Sequence, residues 1–594
     1  MDLHLIRKGE ETLMAEIEVY YRLIKQENGP DEAELVCLPD EDEGEVFTCT
    51  LPLIVVEDDW GEIRCALELP ESIDGHPLTK IGENALDDND ISMDEAYSDD
   101  YRSMIASVTL PENIKCIHPD AFEWLVSLRK IWVHAENLVY ESVDGVLYDR
   151  EKSSLVRCPV LWEQDRFIVR EGTLEIAPNA FGKCENLICV LLPDGLETLG
   201  DSAFYNCAAL EYVYLPDSLR TMGEGCFYRC TDLPYLRVPQ NVESIGKHAF
   251  EECVNLRGIS LPNTYSLRKI GSAAFKGCIS LRAIVLPLGL TAIDSSCFEG
   301  CWALEEVCWP EIPAGIQGQK ALCGLQSIGY GAFSECERLR EIALPQGLRS
   351  IGQYAFDRCK GLKKIHLPAS LEKIVPGSAG NAVNGMPFGG CTALEEITIA
   401  EGNVHFAIHD GALVGLDDSR IICFPPARKQ KRFVAADGIC EIDMDAFQGQ
   451  QTLEEVVLPD GLKSIGSGAF RDCTALRSIH LPKGLGKLGA EAFCGCSALK
   501  GVALPEGIKD ISSGLFSGCT ALEEIVLPEG IVEIGASAFE NCSALRRAVL
   551  PRSLCKIHLL ATLFKGCSSV VLHIPRNSYA QRCFEGTYWV TQLY

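Results

Sequence analysis

The sequence predicts a solenoid, one elongated stack of short coils in which each coil covers the apolar face of the next. Three observations predict it. The stretch Leu504–Val526, LPEGIKDISSGLFSGCTALEEIV, is followed directly by LPEGIVEIGASAFENCSALRRAV and then by LP again. Prolines stand 23 residues apart at 193, 216, 239 and 262, and again at 459, 482, 505, 528 and 551. Phenylalanine returns to one slot sixteen times between Phe122 and Phe564, with cysteine three residues later in fourteen coils. A fixed period of this length means stacked units. In such a stack each coil touches only its neighbours, so a single core can run through 594 residues without dividing into globules.

Residues 1–65 do not show the repeat and are expected to cap the first coil. Glu10–Glu27 fits two patterns, an amphipathic helix through Leu13, Ile17, Tyr20, Leu23 and Ile24, or an alternating strand, IEVYYRLI. Pro30–Glu45 is acidic and turn-rich and reads as a surface loop, and Val46–Val56 reads as strand. Together they can cover the open end of a stack, which exposes apolar surface and unpaired strand edges. The solenoid occupies 66–575, beginning with Leu69–Leu86 and resuming at Val108–Val133. The acidic stretch between them, DDNDISMDEAYSDD, has neither the spacing nor the glycine of a calcium loop, so it is read as a solvated loop.

Within a coil each position has a task. Leu522, Ile525 and Leu527 form the inward side of a short strand that Pro528 ends and Gly530 turns. Ile531 and Ile534 point inward again, Gly535 closes a second short extended piece, and Ala538 and Phe539 fill the middle. Glu540–Ala544 is expected to form a turn of helix or 3₁₀ leading to Leu545. Each phenylalanine contributes ~1.5–3 kcal/mol if fully buried, and stacked they make a spine that no coil buries alone. Residues 139–159 and 405–425 share an Asp-Gly between apolar runs and read as hairpin extensions of a coil. Residues 311–326 and 375–386 lengthen turns. In 576–594, Tyr579, Phe584, Tyr588 and Trp589 can plug the last coil as a C-terminal cap.

The net charge of −32 is unevenly placed: residues 1–105 hold 29 Asp and Glu against 7 Lys and Arg. That balance argues against sequence-independent nucleic-acid binding, which needs cations on phosphates, and is read as a solvated surface. No run of 18 apolar residues spans a membrane. The opening MDLHLIRKGEETLMAEIE lacks the pattern of a secretory signal, so the expected location is the cytosol. Twenty-nine cysteines include fourteen in the Phe-x-x-Cys slot, from Cys184 to Cys567. They are expected as a file of reduced, buried thiols. No C-x-x-C pair offers a zinc site, and no metal or cofactor is expected.

The consensus L-P-x-G-L-x-x-I-G-x-x-A-F-x-x-C-x-x-L-x-x-I-x resembles the BspA-like class of bacterial leucine-rich repeats, over about Ala66 to Pro575. The DGVLY and IPRNSYAQ segments look like that family's inserts and C-terminal ending. The resemblance implies a curved, right-handed leucine-rich repeat solenoid with a parallel sheet on its concave face. It also implies protein binding without catalysis, often as an adhesin at a bacterial surface. The asparagine of the commoner leucine-rich consensus is replaced by glycine, so the backbone groups of that turn must find other partners.

Catalytic constellations are not visible. There is no H-E-x-x-H, G-x-S-x-G or P-loop, and GLGKLG at Gly484–Gly489 is a repeat turn. His366 and His480 share a strand slot several coils apart, and Glu523–Glu524 reads as a solvated pair. A binding surface is more visible. The third and fifth residues of L-x-x-I-x-L should face outward from the sheet: Lys130 and Trp132, Cys189 and Leu191, Tyr212 and Tyr214, Tyr235 and Arg237, with Gly258 and Ser260 next. Trp132, Tyr212, Tyr214, Tyr235 and Arg237 are residue types that dominate interface hot spots, though tyrosine also suits a strand surface. The sequence-based reading is a non-enzymatic scaffold for protein partners, with an exported adhesin or effector as the alternative.

Overall fold

A coil of 23 residues is too short to satisfy its own backbone, and in this chain many backbone partners lie in the coils before and after. A computed structural model describes residues 6–7, 13–26, 29–36, 46–57, 63–86, 101–150, 153–309, 324–374, 386–587 and 589–594. The acidic stretch 87–100, most of 311–326, nearly all of 375–386, residues 37–45 and Tyr588 lie outside them. The chain forms two units, Met1–Leu290 and Thr291–Tyr594.

In the first unit, three ladders join successive coils. Arg166–Ile168, Cys189–Leu191 and Tyr212–Tyr214 pair in parallel, with Phe167, Val190 and Val213 in register. Glu175–Ile176, Thr198–Leu199, Thr221–Met222, Ser244–Ile245 and Lys269–Ile270 make a second parallel ladder. The third runs through the turns: the N–H groups of Phe181, Phe204 and Phe227 each donate to the carbonyls of Ala203, Cys226 and Ala249 at 2.8 Å.

The expected helical or 3₁₀ turn is realised as consecutive tight turns. Glu540 N–H donates to Ser537 O (3.1 Å) and Cys542 N–H to Phe539 O (3.4 Å). Ser537 and Asn541, two residues either side of Phe539, have φ of 54° and 59°. Two left-handed residues per turn prevent a helix from propagating. The I-G glycine has a different cause: a Cβ on Gly246 would stand 2.3 Å from the Gly223 carbonyl oxygen of the coil before. The glycine that replaces asparagine finds its partner across coils. Gly195 N–H donates to Ser218 Oγ (3.0 Å), which donates in turn to Leu196 O (2.7 Å). Ser370 and Ser553 repeat the arrangement at Gly347 and Gly530.

The phenylalanine and cysteine slots form two buried files. In the first unit Phe181, Phe204, Phe227, Phe250 and Phe275 stack with centroids 4.9, 5.1, 5.5 and 5.2 Å apart. In the second, Phe298, Phe333, Phe356 and Phe388 stack in the same way, as do Phe447, Phe470, Phe493, Phe516, Phe539 and Phe564. All fourteen Phe-x-x-Cys thiols are buried. Each acts as a small core residue with one weak donor: Cys207, Cys230 and Cys253 give theirs to the Phe181, Phe204 and Phe227 carbonyls at 3.0, 3.1 and 3.1 Å.

Between the two patterns available to Glu10–Glu27, the structure selects strand. Leu13–Ile24 lies antiparallel between Glu32–Val36 and Phe47–Glu57, and Ile17, Val19 and Tyr21 are buried at period two. Phe47–Glu57 pairs antiparallel with Ile63–Glu68, which pairs in parallel with Ile105–Leu110. The surface loop expected from Pro30 onward is instead a strand over Glu32–Val36, with Ala33 and Leu35 buried, because both its edges find partners: Leu13–Ile24 on one side and, in parallel, His76–Ile81, the next piece of the other ladder. The non-repeat segment thus supplies a strand to both edges of the first coil. At the far end, Ser578 caps the short helix Tyr579–Phe584, and Phe584 and Trp589 close on Phe564, with centroids 6.3 and 5.8 Å away.

Both Asp-Gly hairpins form. Tyr140–Val143 turns into Val146–Asp149, and Phe406–His409 into Ala412–Gly415. Asp144–Gly145 (φ 54° and 87°) and Asp410–Gly411 (47° and 88°) supply the two left-handed residues of a type I′ turn. Each hairpin is anchored by an asparagine. Asn137 Nδ2 donates to Pro111 O and Ile114 O, and its Oδ1 accepts from the N–H groups of Val139 and Tyr140. Asn403 does the same for the second hairpin.

Candidate binding face

The three-residue strands bury their middle residue and turn the flanking two outward. In the sheet of Arg166–Ile168, Cys189–Leu191 and Tyr212–Tyr214, the outward files are Arg166, Cys189 and Tyr212, then Ile168, Leu191 and Tyr214. At about 4.8 Å between strands, the second file is a continuous apolar row. Its members expose from 38% (Leu191) to 75% (Ile168) of their surface. Ile168 does not emerge from the L-x-x-I-x-L pattern, because its strand lacks those leucines and runs into Val169-Arg170 in place of Leu-Pro. Burial alternates along Arg166–Val169, but Phe167, Ile168 and Val169 are all apolar, so strand pairing rather than sequence pattern identifies Ile168 as outward.

Tyr235–Arg237 follows Tyr212–Tyr214 in the chain and pairs with Gly258–Ser260. The ladder is interrupted on its other side. Glu211 N–H reaches Ile188 O at 2.9 Å, but Pro234 occupies the corresponding place one coil later and has no N–H to donate. The Tyr235 ring lies against the next strand, where a Cβ on Gly258 would stand 3.5 Å from Cδ2. Tyr212 and Tyr235 are both about half exposed. Arg237 Nη2 is 3.1 Å from Asp217 Oδ1 on the surface, a pair of the kind that contributes about 0–1 kcal/mol.

Trp132 is exposed too, with Lys130 Nζ 5.8 Å from its ring centre. It lies on Lys130–Val133, which pairs with Ile105–Leu110 in a different sheet. The structure therefore brings Tyr212 and Tyr214 together with Ile168 and Leu191, sets Tyr235 and Arg237 beyond a break in the ladder, and leaves Trp132 outside the tyrosine sheet.

Charges on the coils pair at the repeat interval. Arg349 meets Glu372 (2.6 Å), Lys360 meets Glu337 (2.5 Å) and Arg432 meets Glu455 (3.0 Å), each 23 residues apart and exposed. Glu524 of the Glu523–Glu524 pair meets Arg547. His366 Nδ1 lies 2.9 Å from Thr398 Oγ1 on the neighbouring strand. Among the described residues, no group of three or more His, Cys, Asp or Glu is placed to hold a metal ion, and no helix is long and apolar enough to cross a membrane.

Comparison with known proteins matches residues 163–267, 259–321, 315–413 and 440–571 to the family model described as BspA type leucine rich repeat region (6 copies). Among solved structures, a leucine rich cell surface protein from Faecalibacterium prausnitzii is 22% identical, with a TM-score of 0.44 over 75% of this chain and 96% of that one. A leucine-rich repeat protein from Bacteroides ovatus is 24% identical, with a TM-score of 0.41 over 77% and 97%. The leucine-rich repeat protein of T. pallidum is 29% identical, with a TM-score of 0.26 over 30% and 80%. No curated protein matches the chain.

Proposed function

This chain belongs to the BspA-type leucine-rich repeat family, and on that premise we propose that it is a non-enzymatic scaffold that recognises a protein partner through its three-residue strands. One observation carries the reading: Ile168, Leu191, Tyr212, Tyr214 and Tyr235 stand exposed on successive coils. Large side chains on a rigid sheet lose little conformational freedom on binding, and tyrosine adds a polar tip to apolar area. The test is affinity capture from the native cell with the parent chain and the double variant Tyr212→Ala, Tyr235→Ala. We expect the variant to lose its specific partner while its melting curve stays nearly unchanged. Unaltered capture refutes the proposal.

A cytosolic scaffold is our primary reading, with a file of free, buried thiols suited to a reducing compartment. The family, typical of surface as well as protein-binding proteins, favours an exported adhesin or effector as the second. Fractionating the producing cells separates them, because extracellular protein would overturn the cytosolic reading.

A further inference from the structure

The two hairpin coils superpose residue for residue in their pairing, and the same place beside each is filled in one unit and hollow in the other. Leu147 pairs with Arg157 in the first hairpin and Leu413 with Cys423 in the second, so Cys423 stands where Arg157 stands. In the first unit Arg157 is wholly buried. Its guanidinium donates to the carbonyls of Asn179 and Gly182 in the following coil. The preceding and following coils also close over it. Asn179 Nδ2 donates to Asp120 Oδ1 (2.6 Å), and Lys183 Nζ stands 2.9 Å from Glu123 Oε1 and 4.3 Å from the centre of the Trp124 ring.

In the second unit each of those fillers is missing from the sequence. Gly389 and Gly390 replace Glu123 and Trp124, Gly449 replaces Lys183, Cys423 replaces Arg157, and Asp445 replaces Asn179. The result is a cleft of about 650 Å³ lined by these five residues, with Asp472 and Lys429 among the rest of its wall. Two carboxylates thus face one lysine. Asp445 Oδ1 is buried without a hydrogen bond and forms a long ion pair with Arg471 Nη2 at 4.0 Å, while Arg471 stands closer, 2.9 Å, to Glu491 Oε2. The hairpin's own arginine does not fill the gap. Arg420 lies at the start of the strand that ends in Cys423 and is committed to Asp443 Oδ2 (2.6 Å) and the Ile374 carbonyl.

We propose that this cleft receives an arginine side chain from a partner protein, in the place that Arg157 fills from within in the first unit. The backbone carbonyls of Asp445 and Gln448 correspond to the two that Arg157 uses. The Asp445 carboxylate adds the charge that a guanidinium pairs with most strongly. The cleft lies within the ~300–1,000 Å³ range of pockets that hold drug-sized ligands, so residues flanking the arginine enter with it. This distinguishes a peptide from the free amino acid.

The experiment titrates the full chain with a fluorescein-labelled Gly-Gly-Arg-Gly-Gly peptide, its citrulline counterpart, and free L-arginine as competitor. Saturable binding of the arginine peptide is expected, with citrulline at least about tenfold weaker and free L-arginine competing only at higher concentration. Cys423→Arg installs the internal plug and should abolish binding. Asp445→Asn restores the residue of the first unit and should weaken binding about tenfold. The proposal is overturned by absence of saturable binding up to roughly 1 mM, by equal binding of citrulline, by tighter binding of the free amino acid, or by a folded Cys423→Arg chain that binds as the parent does. Should Cys423→Arg fail to fold, Asp445→Asn alone decides: unchanged affinity overturns the proposal.

Discussion

Phe227→Ala tests the column on which the coils depend. Phe227 is fully buried, with the rings of Phe204 and Phe250 5.1 and 5.5 Å from its own on opposite faces. Removing a ring with neighbours on both sides leaves a cavity that neither coil can close without breaking ladders to the next. The cost is therefore placed high in the range for buried Phe→Ala, about 4–5 kcal/mol. Phe227→Leu keeps most of the volume and forfeits two ring contacts, about 1–3 kcal/mol. Amide exchange reads the effect locally. The Phe227 N–H, held by Ala249 O at 2.8 Å, should lose about a thousandfold of protection in the alanine variant. Because each coil contacts only its neighbours, the loss should centre on the coils of Phe204, Phe227 and Phe250 and be small at Leu13–Ile24. A cost under about 1 kcal/mol, or a loss spread evenly to the N-terminal strands, refutes the reasoning.

Burial pushes the Cys253 thiol up to about 12, whereas Cys116 and Cys555 are exposed. A thiol reagent near pH 8 should label the exposed pair promptly in the native protein and reach Cys253 only after unfolding; prompt labelling of Cys253 would contradict the buried file. Burial likewise pushes the Asp357 carboxyl up to about 6, against an ordinary value near ~4. Its folded form binds the proton more tightly than its unfolded form, so its contribution to stability is full at low pH and is lost as pH rises through about 6. Relative to Asp357→Asn, the melting temperature of the parent should fall between about pH 4 and 6.5 and level off above; a constant difference across that window excludes this role.

The repeat itself, its core slots, both hairpins and the outward strand positions were legible in the sequence. Periodicity dictates them: a residue recurring every 23 positions meets its own copy in the next coil, so side-chain identity and spatial neighbour are the same information. The N-terminal segment has no such copy. Its two periods fit equally until the strands on either side of Leu13–Ile24 supply the backbone partners that select one. The buried asparagines Asn137 and Asn403 were legible in principle, since N-L-V-Y and N-V-H-F stand at the same offset before each hairpin. Their role depends on carbonyls more than twenty residues upstream, which only the closed coil brings within reach. The candidate face was partly visible as tyrosines at outward positions. That Ile168 extends it, that Pro234 interrupts its ladder and that Trp132 belongs to another sheet are matters of strand pairing. The cleft is the plainest case. Glycines and a cysteine in place of Glu123, Trp124, Lys183 and Arg157 look like unremarkable substitutions along the chain. They amount to a hollow only because the folded hairpin coil holds the turns on either side of it apart.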